Sequence, residues 1–145
     1  MNTMELAKRT LEEGGYTCVV ADGEEIVFTS RERGIRPLVE YCRGAAAAHP
    51  GAALADKVIG RAAAMLCRLG SIGELYAGVL SQGALDELNK AGIRAGYGTK
   101  VEAIRNRDNT GLCPMESLSR GVEDPEEMLR RAEEFLANLG KKPGA

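Results

Sequence analysis

With 145 residues, 44% hydrophobic and 28% charged, the chain has the size and balance of one globular domain whose core needs no disulfide staples. A net charge of −2 with both signs interspersed argues against a surface built for nucleic acid or anionic lipid, and no apolar run approaches the ~20 residues that span a bilayer. Aromatics make up 4% and tryptophan is absent, so the core is expected to be aliphatic.

Residues 4–13 have the period of an amphipathic helix, capped by Asn2 or Thr3 and ended by Gly14-Gly15. Early charges at Glu5, Lys8 and Arg9 leave no apolar leader, so no signal peptide is expected. Tyr16–Ala21 reads as a strand, Asp22-Gly23 as a hairpin turn, and Glu25–Ser30 as the returning strand. After a polar loop, Pro37 suits the first turn of a helix running to about Cys42. Arg43–Gly51 is a small-residue connection, and Ala52–Ala55 a buried strand or strand end. From Asp56 the period turns helical, through Val58, Ile59, Ala62, Ala63, Leu66 and Leu69 to Gly70.

Glu74–Leu80 is a strand, and Ser81 caps a helix that buries Leu85 and Leu88 and stops at Gly92. Ile93–Tyr97 is a further short strand, and Thr99-x-x-Glu102 fits a capping box with a short helix behind it. Arg105–Leu112 is a polar loop, and Pro114 opens a brief helix that ends near Gly121. Asp124-Pro125-Glu126-Glu127 opens the last helix, with Met128, Ala132, Phe135 and Leu136 inward. Residues 1–140 are expected to form one domain and 141–145 a flexible tail. A hairpin followed by βαβ units implies one mixed sheet covered by helices.

The cysteines, Cys18, Cys42, Cys67 and Cys113, are widely spaced with no CxxC, and read as reduced thiols of a cytoplasmic protein. The single histidine, His49, and the lack of clustered cysteines predict no metal site.

Four spots fall at strand–helix junctions, where α/β sheets bind ligands. Asp56 reads as the N-cap of the helix that follows, or as an acid/base group; Lys57 beside it opposes the helix dipole, and reads as a contact to an anion or as a solvated lysine. The run 30–37, with Ser30, Arg33 and Arg36 before a helix start, suits phosphate or carboxylate recognition, or is a solvated charged loop. Arg107, Asp108 and Thr110 stand in a turn dense in hydrogen-bonding groups. Pro114 places Cys113 at a helix N-cap, a setting for an activated thiol, with Glu116 three residues beyond the cap as cap partner or general acid/base; the alternative is a structural cysteine.

The stretches Ser30-Arg31-Glu32-Arg33-Gly34-Ile35-Arg36-Pro37-Leu38, Ala55-Asp56-Lys57-Val58-x-Gly60-Arg61-Ala62-Ala63 and Asn106-Arg107-x-x-Thr110-Gly111-x-Cys113-Pro114-Met115-Glu116 resemble the motifs of a prokaryotic family, domain of unknown function eighteen ninety-three, over about Leu6–Leu136. The resemblance implies a cytidine-deaminase-like three-layer α/β/α sandwich with no established activity. Zinc deaminases open one helix with H-x-E and a later one with P-C-x-x-C. Carried onto this chain, those positions fall near Asp56-Lys57 and Ser81-Gln82-Gly83-Ala84, which lack the ligands, so hydrolytic zinc chemistry and any cofactor are expected to be absent.

Three functions stay open. One is a metal-independent enzyme using Cys113, Asp56, Lys57 and Glu116, with Arg33, Arg36 and Arg107 on an anionic group. Another is a non-catalytic module for a small anionic or nucleotide-like metabolite. The third is an interaction scaffold, its Ala-rich helix 57–69 packing against a second subunit. Neither nucleic acid nor membrane is expected as a partner.

Overall fold

The structure, a computed structural model, describes residues 2–106 and 110–139. Helix α1 (Thr3–Gly14) is capped by Asn2, whose side chain accepts the Glu5 N–H at 2.8 Å, and it ends on Gly15 at φ 67°. Strands β1 (Cys18–Asp22) and β2 (Glu25–Ser30) form the expected hairpin, with Gly23 at φ 61° in its turn. Helix α2 (Arg36–Arg43), with Pro37 in its first turn, and a 3₁₀ turn (Ala45–Ala48) lead to β3 (Ala53–Ile59). Then come α3 (Arg61–Leu69), β4 (Glu74–Ser81), α4 (Gln82–Lys90), β5 (Arg94–Val101), α5 (Pro114–Leu118) and α6 (Pro125–Leu139).

The five strands lie in the order β2-β1-β3-β4-β5, antiparallel in the hairpin and between β1 and β3, parallel from β3 to β5. Alternate side chains of β1 serve opposite faces: Val19 and Ala21 meet Ala7 and Leu11 of α1, while Cys18 and Val20 join the larger core under the other helices. The result is the mixed-sheet α/β/α layering that the pattern implied.

Three local expectations are corrected. Asp56 is not a helix cap, because β3 continues to Ile59, paired on one side with β1 and on the other with β4, and Gly60 then opens α3. Val58 and Ile59 mimic the helical stripe because an apolar strand end, with Val58 exposed and Ile59 buried, runs straight into a buried helix start. No helix follows Thr99, since β5 stays paired to β4 as far as Ser81 opposite Val101. The Pro114 helix ends at Leu118, not near Gly121. The expected tail at 141–145 lies outside the described residues.

The sheet is pinched along one row. A Cβ on Gly78 would lie 2.8 Å from the Lys57 carbonyl oxygen, and one on Gly98 would lie 2.9 Å from the Gly78 carbonyl oxygen. Glycine at both positions lets β3, β4 and β5 close up where β3 reaches its carboxyl end. Helix α3 then runs inward, with Ala62, Ala63, Ala64, Met65, Leu66 and Cys67 all buried within the chain. That face is therefore not free for a second subunit. Among the described residues, no helix is long and apolar enough to cross a membrane.

Candidate functional site

Three segments distant in sequence meet beyond the carboxyl end of β3. The β2–α2 loop supplies Glu32, Arg33, Gly34 and Ile35, the strand end supplies Asp56, Lys57 and Val58, and the approach to α5 supplies Ile104, Cys113, Met115 and Glu116. They enclose a cavity of about 330 Å³. Its floor is buried and largely apolar, from Ile35, Pro37, Ala62, Ala63 and Met115. Its mouth is formed by the exposed Glu32, Arg33, Lys57 and Val58. Among the described residues neither Arg33 nor Lys57 has an ion-pair partner.

Asp56 is the polar group of the floor, only 7% exposed. Burial pushes its carboxyl up to about 7, against the opposing pull of the Val58 N–H at 3.1 Å, the Cys18 thiol, and the N–H and charge of Lys57. A carboxyl in that range exchanges a proton near neutrality, which suits acid/base work.

Glu116 does not complete the cap of its own helix. Its Oε1 accepts the Arg61 N–H at 3.0 Å, at the start of α3, and its Oε2 accepts the Ile104 N–H at 3.1 Å. A Cβ on Gly60 would sit 2.5 Å from that Oε1, so the glycine makes room for the carboxylate. Arg61 returns the contact, donating to the carbonyls of Ser119 and Val122 and to Glu87, which is 2% exposed and also paired with Arg68 at 2.7 Å. These two side chains tie the α5 segment to α3.

Cys113 lines the cavity, half-buried, but α5 is only five residues long, so the aligned dipoles behind its thiol are few. The other thiols are placed differently: burial pushes Cys18 and Cys67 well above the usual thiol range, and Cys42 up to about 11. All four cysteines are free.

Of the remaining candidates, Ser30, Arg36 and Thr110 are not on the cavity wall. Ser30 is turned inward, its Oγ accepting the Glu32 N–H at 3.0 Å, and it shapes the loop that presents Arg33. Arg36 opens α2 half-buried and away from the cavity wall. Thr110 bonds to Asn106 within its own loop, and Arg107 and Asp108 lie outside the described residues. Sequence reasoning missed the apolar wall at Ile104 and Met115 and the structural use of Arg61; only strand register and loop path bring these to the site.

A family model described as TM1506, domain of unknown function DUF1893, matches residues 6–136. The chain belongs to the DUF1893 family. A crystal structure of a DUF1893 family protein (TM1506) from Thermotoga maritima is similar at 25% identity and a TM-score of 0.82, covering 92% of this chain and 89% of that one. A diaminohydroxyphosphoribosylaminopyrimidine deaminase/5-amino-6-(5-phosphoribosylamino)uracil reductase from Thermotoga maritima overlaps at 16% identity and a TM-score of 0.45, covering 81% of this chain and 38% of that one, a likeness too loose to bear on the site. No curated protein matches the chain. Arg33 of the first quoted stretch, Asp56 and Lys57 of the second, and Cys113 and Glu116 of the third line this one cavity.

The burial of Asp56 predicts a pH signature. The unfolded carboxyl titrates near 3.8 and the folded one at about 7, so between those values the folded state holds the extra proton. Stability from this group is full below pH ~4 and is lost as pH rises through ~7. Asp56→Asn, which keeps an acceptor for Val58, is expected to match wild type near pH 4 and to exceed it above pH 7 by roughly 4 kcal/mol in urea unfolding. An unchanged difference across that window contradicts the assignment.

Proposed function

We propose that this cavity binds a small anionic, nucleotide-like metabolite. The carrying observation is a buried carboxyl, Asp56, at the base of an apolar cavity whose mouth holds two cations, Arg33 and Lys57, that form no ion pair among the described residues. In this reading the cations take the anionic group, Ile35, Val58, Ala63, Ile104 and Met115 take the planar or apolar body, and Asp56 accepts from an N–H at its inner end. Glu32 at the same mouth disfavours a second negative group beside it.

The resemblance to deaminase-like folds enters here as lineage, without its metal. The helix after β3 starts later than the sequence implied, so the first motif position moves from Asp56-Lys57 to Gly60-Arg61-Ala62; the second stays at Ser81-Gln82-Gly83-Ala84. A Cβ on Gly83 would lie 3.4 Å from the Arg61 Cβ and 3.5 Å from its Cδ, so a guanidinium stem occupies the junction between the two helix starts. A guanidinium does not ligate zinc. Among the described residues no group of three His, Cys, Asp or Glu is placed to hold a metal. The donor set does not fit zinc, and no step is drawn through it.

A second reading, catalysis, is favoured by one observation: Cys113 shares the cavity with Asp56, so a thiol and a proton acceptor active near neutrality face the same ligand. Cys113 is then the nucleophile or sulfur carrier and Asp56 the proton acceptor.

Two measurements test these readings. Nucleoside 5′-monophosphates at millimolar concentration are expected to raise the melting temperature, the parent nucleosides less so, and Arg33→Ala with Lys57→Ala to abolish the difference. No shift with any of the four common bases contradicts the binding reading. Iodoacetamide on the native protein is expected to label Cys113 first, Cys42 slowly, and Cys18 and Cys67 only on unfolding; a bound monophosphate protects Cys113. Unprotected, slow labelling of Cys113 removes the catalytic reading.

A further inference from the structure

Thr17 stands just before β1, half-buried at the edge of the cavity, and is bonded to both segments that carry the cations of its mouth. Its carbonyl accepts the Lys57 N–H at 3.2 Å, where β3 nears its end. Its N–H donates to the Ser30 carbonyl at 2.8 Å, and its Oγ1 lies 3.0 Å from that carbonyl and 2.6 Å from the Glu32 carbonyl. A hydroxyl has one proton to give. The Ser30 carbonyl already holds the Thr17 N–H and the Glu32 carbonyl is nearer, so the proton goes to Glu32. That carbonyl and the Arg33 nitrogen share one planar peptide unit, so the bond holds the backbone at Arg33 directly. Among the described residues, the Thr17 and Ser30 hydroxyls make the only side-chain bonds to the backbone over 32–34. Beyond Arg33 the chain turns away at once, through Gly34 at φ 66°, into α2.

We propose that Thr17 is a positioning residue of the anion site: its carbonyl and hydroxyl hold the Lys57 and Arg33 backbones at one spacing, so that both cations meet the same anionic group. The proposal rests on the reading of Arg33 and Lys57 as the pair that takes the anion of the ligand. Arginine and lysine lose rotamer freedom when they converge on one ligand group, and a loop free to move would add its own ordering cost. With the loop clipped to the strand end, only the side chains have to order. The apolar floor is held by other means, since Ala62 and Ala63 belong to α3 and Met115 to α5. Thr17 therefore acts on the anionic group of the ligand and not on its apolar body.

The test compares cytidine 5′-monophosphate with cytidine by titration calorimetry on the full chain. Wild type is expected to prefer the monophosphate. Thr17→Val keeps the shape and loses the hydroxyl, and is expected to reduce that preference about five- to tenfold, while Thr17→Ser keeps the hydroxyl and is expected to restore it. Thr17→Ala, smaller and also without the hydroxyl, is expected to follow Val. A preference in Val and Ala equal to wild type overturns the role of Thr17 while leaving the cation pair in place. A wild type that binds both compounds alike overturns the anion reading, and this inference with it. A merely structural threonine lowers the melting temperature of Val and Ala and weakens both compounds in proportion, so that the preference stays and the proposal falls.

Discussion

The Glu116 carboxylate is the constraint on which the site depends. A helix start leaves N–H groups without partners. At α3 one of these, on Arg61, is satisfied by a side chain 55 residues further along the chain. The second oxygen of the same carboxylate holds the Ile104 N–H, so one group fixes both the helix start and the loop that leaves β5. Gly60 contributes by having no side chain where the carboxylate lies. Arg61 reaches back to the Ser119 and Val122 carbonyls, which makes the tie reciprocal. It acts together with the Cys113 N–H bond to the Ile104 carbonyl at 2.9 Å and the burial of Met115 in holding the third wall of the cavity.

The second feature is a deliberate electrostatic cost. A carboxyl buried at the base of an apolar cavity weakens the fold once it ionises. The Val58 N–H and the Cys18 thiol offset part of this. A valine at position 56 would pack the same strand with no such penalty. Residues that strain a fold in this way cluster where ligands are handled.

Much of this was legible in the sequence, and the failures share one cause. The hairpin was marked by Asp22-Gly23, the α4 cap by Ser81, whose Oγ accepts the Ala84 N–H at 3.1 Å, and the last helix by Asp124. These are local signals, and they held. The end of β3 was misread because its length is fixed by pairing with β1 and β4, which no local pattern at 56–59 encodes. The same is true of β5, whose extension to Val101 depends on β4. For the site, residue type at junctions pointed to Arg33, Asp56, Lys57, Cys113 and Glu116, and these do converge. Their duties were less legible: Glu116 spends its carboxylate on α3, and Asp56 lies in a strand, opposite Cys18 in register, and not at a helix start.

The central claim is that three separated motifs form one ligand cavity with Asp56 at its base. The most direct test is an amide chemical-shift map on adding cytidine 5′-monophosphate to labelled protein. The account predicts changes gathered at 32–35, 56–60, 104 and 113–116, all reduced together in Asp56→Asn. Changes at only one of these segments, or at none of them, would contradict it.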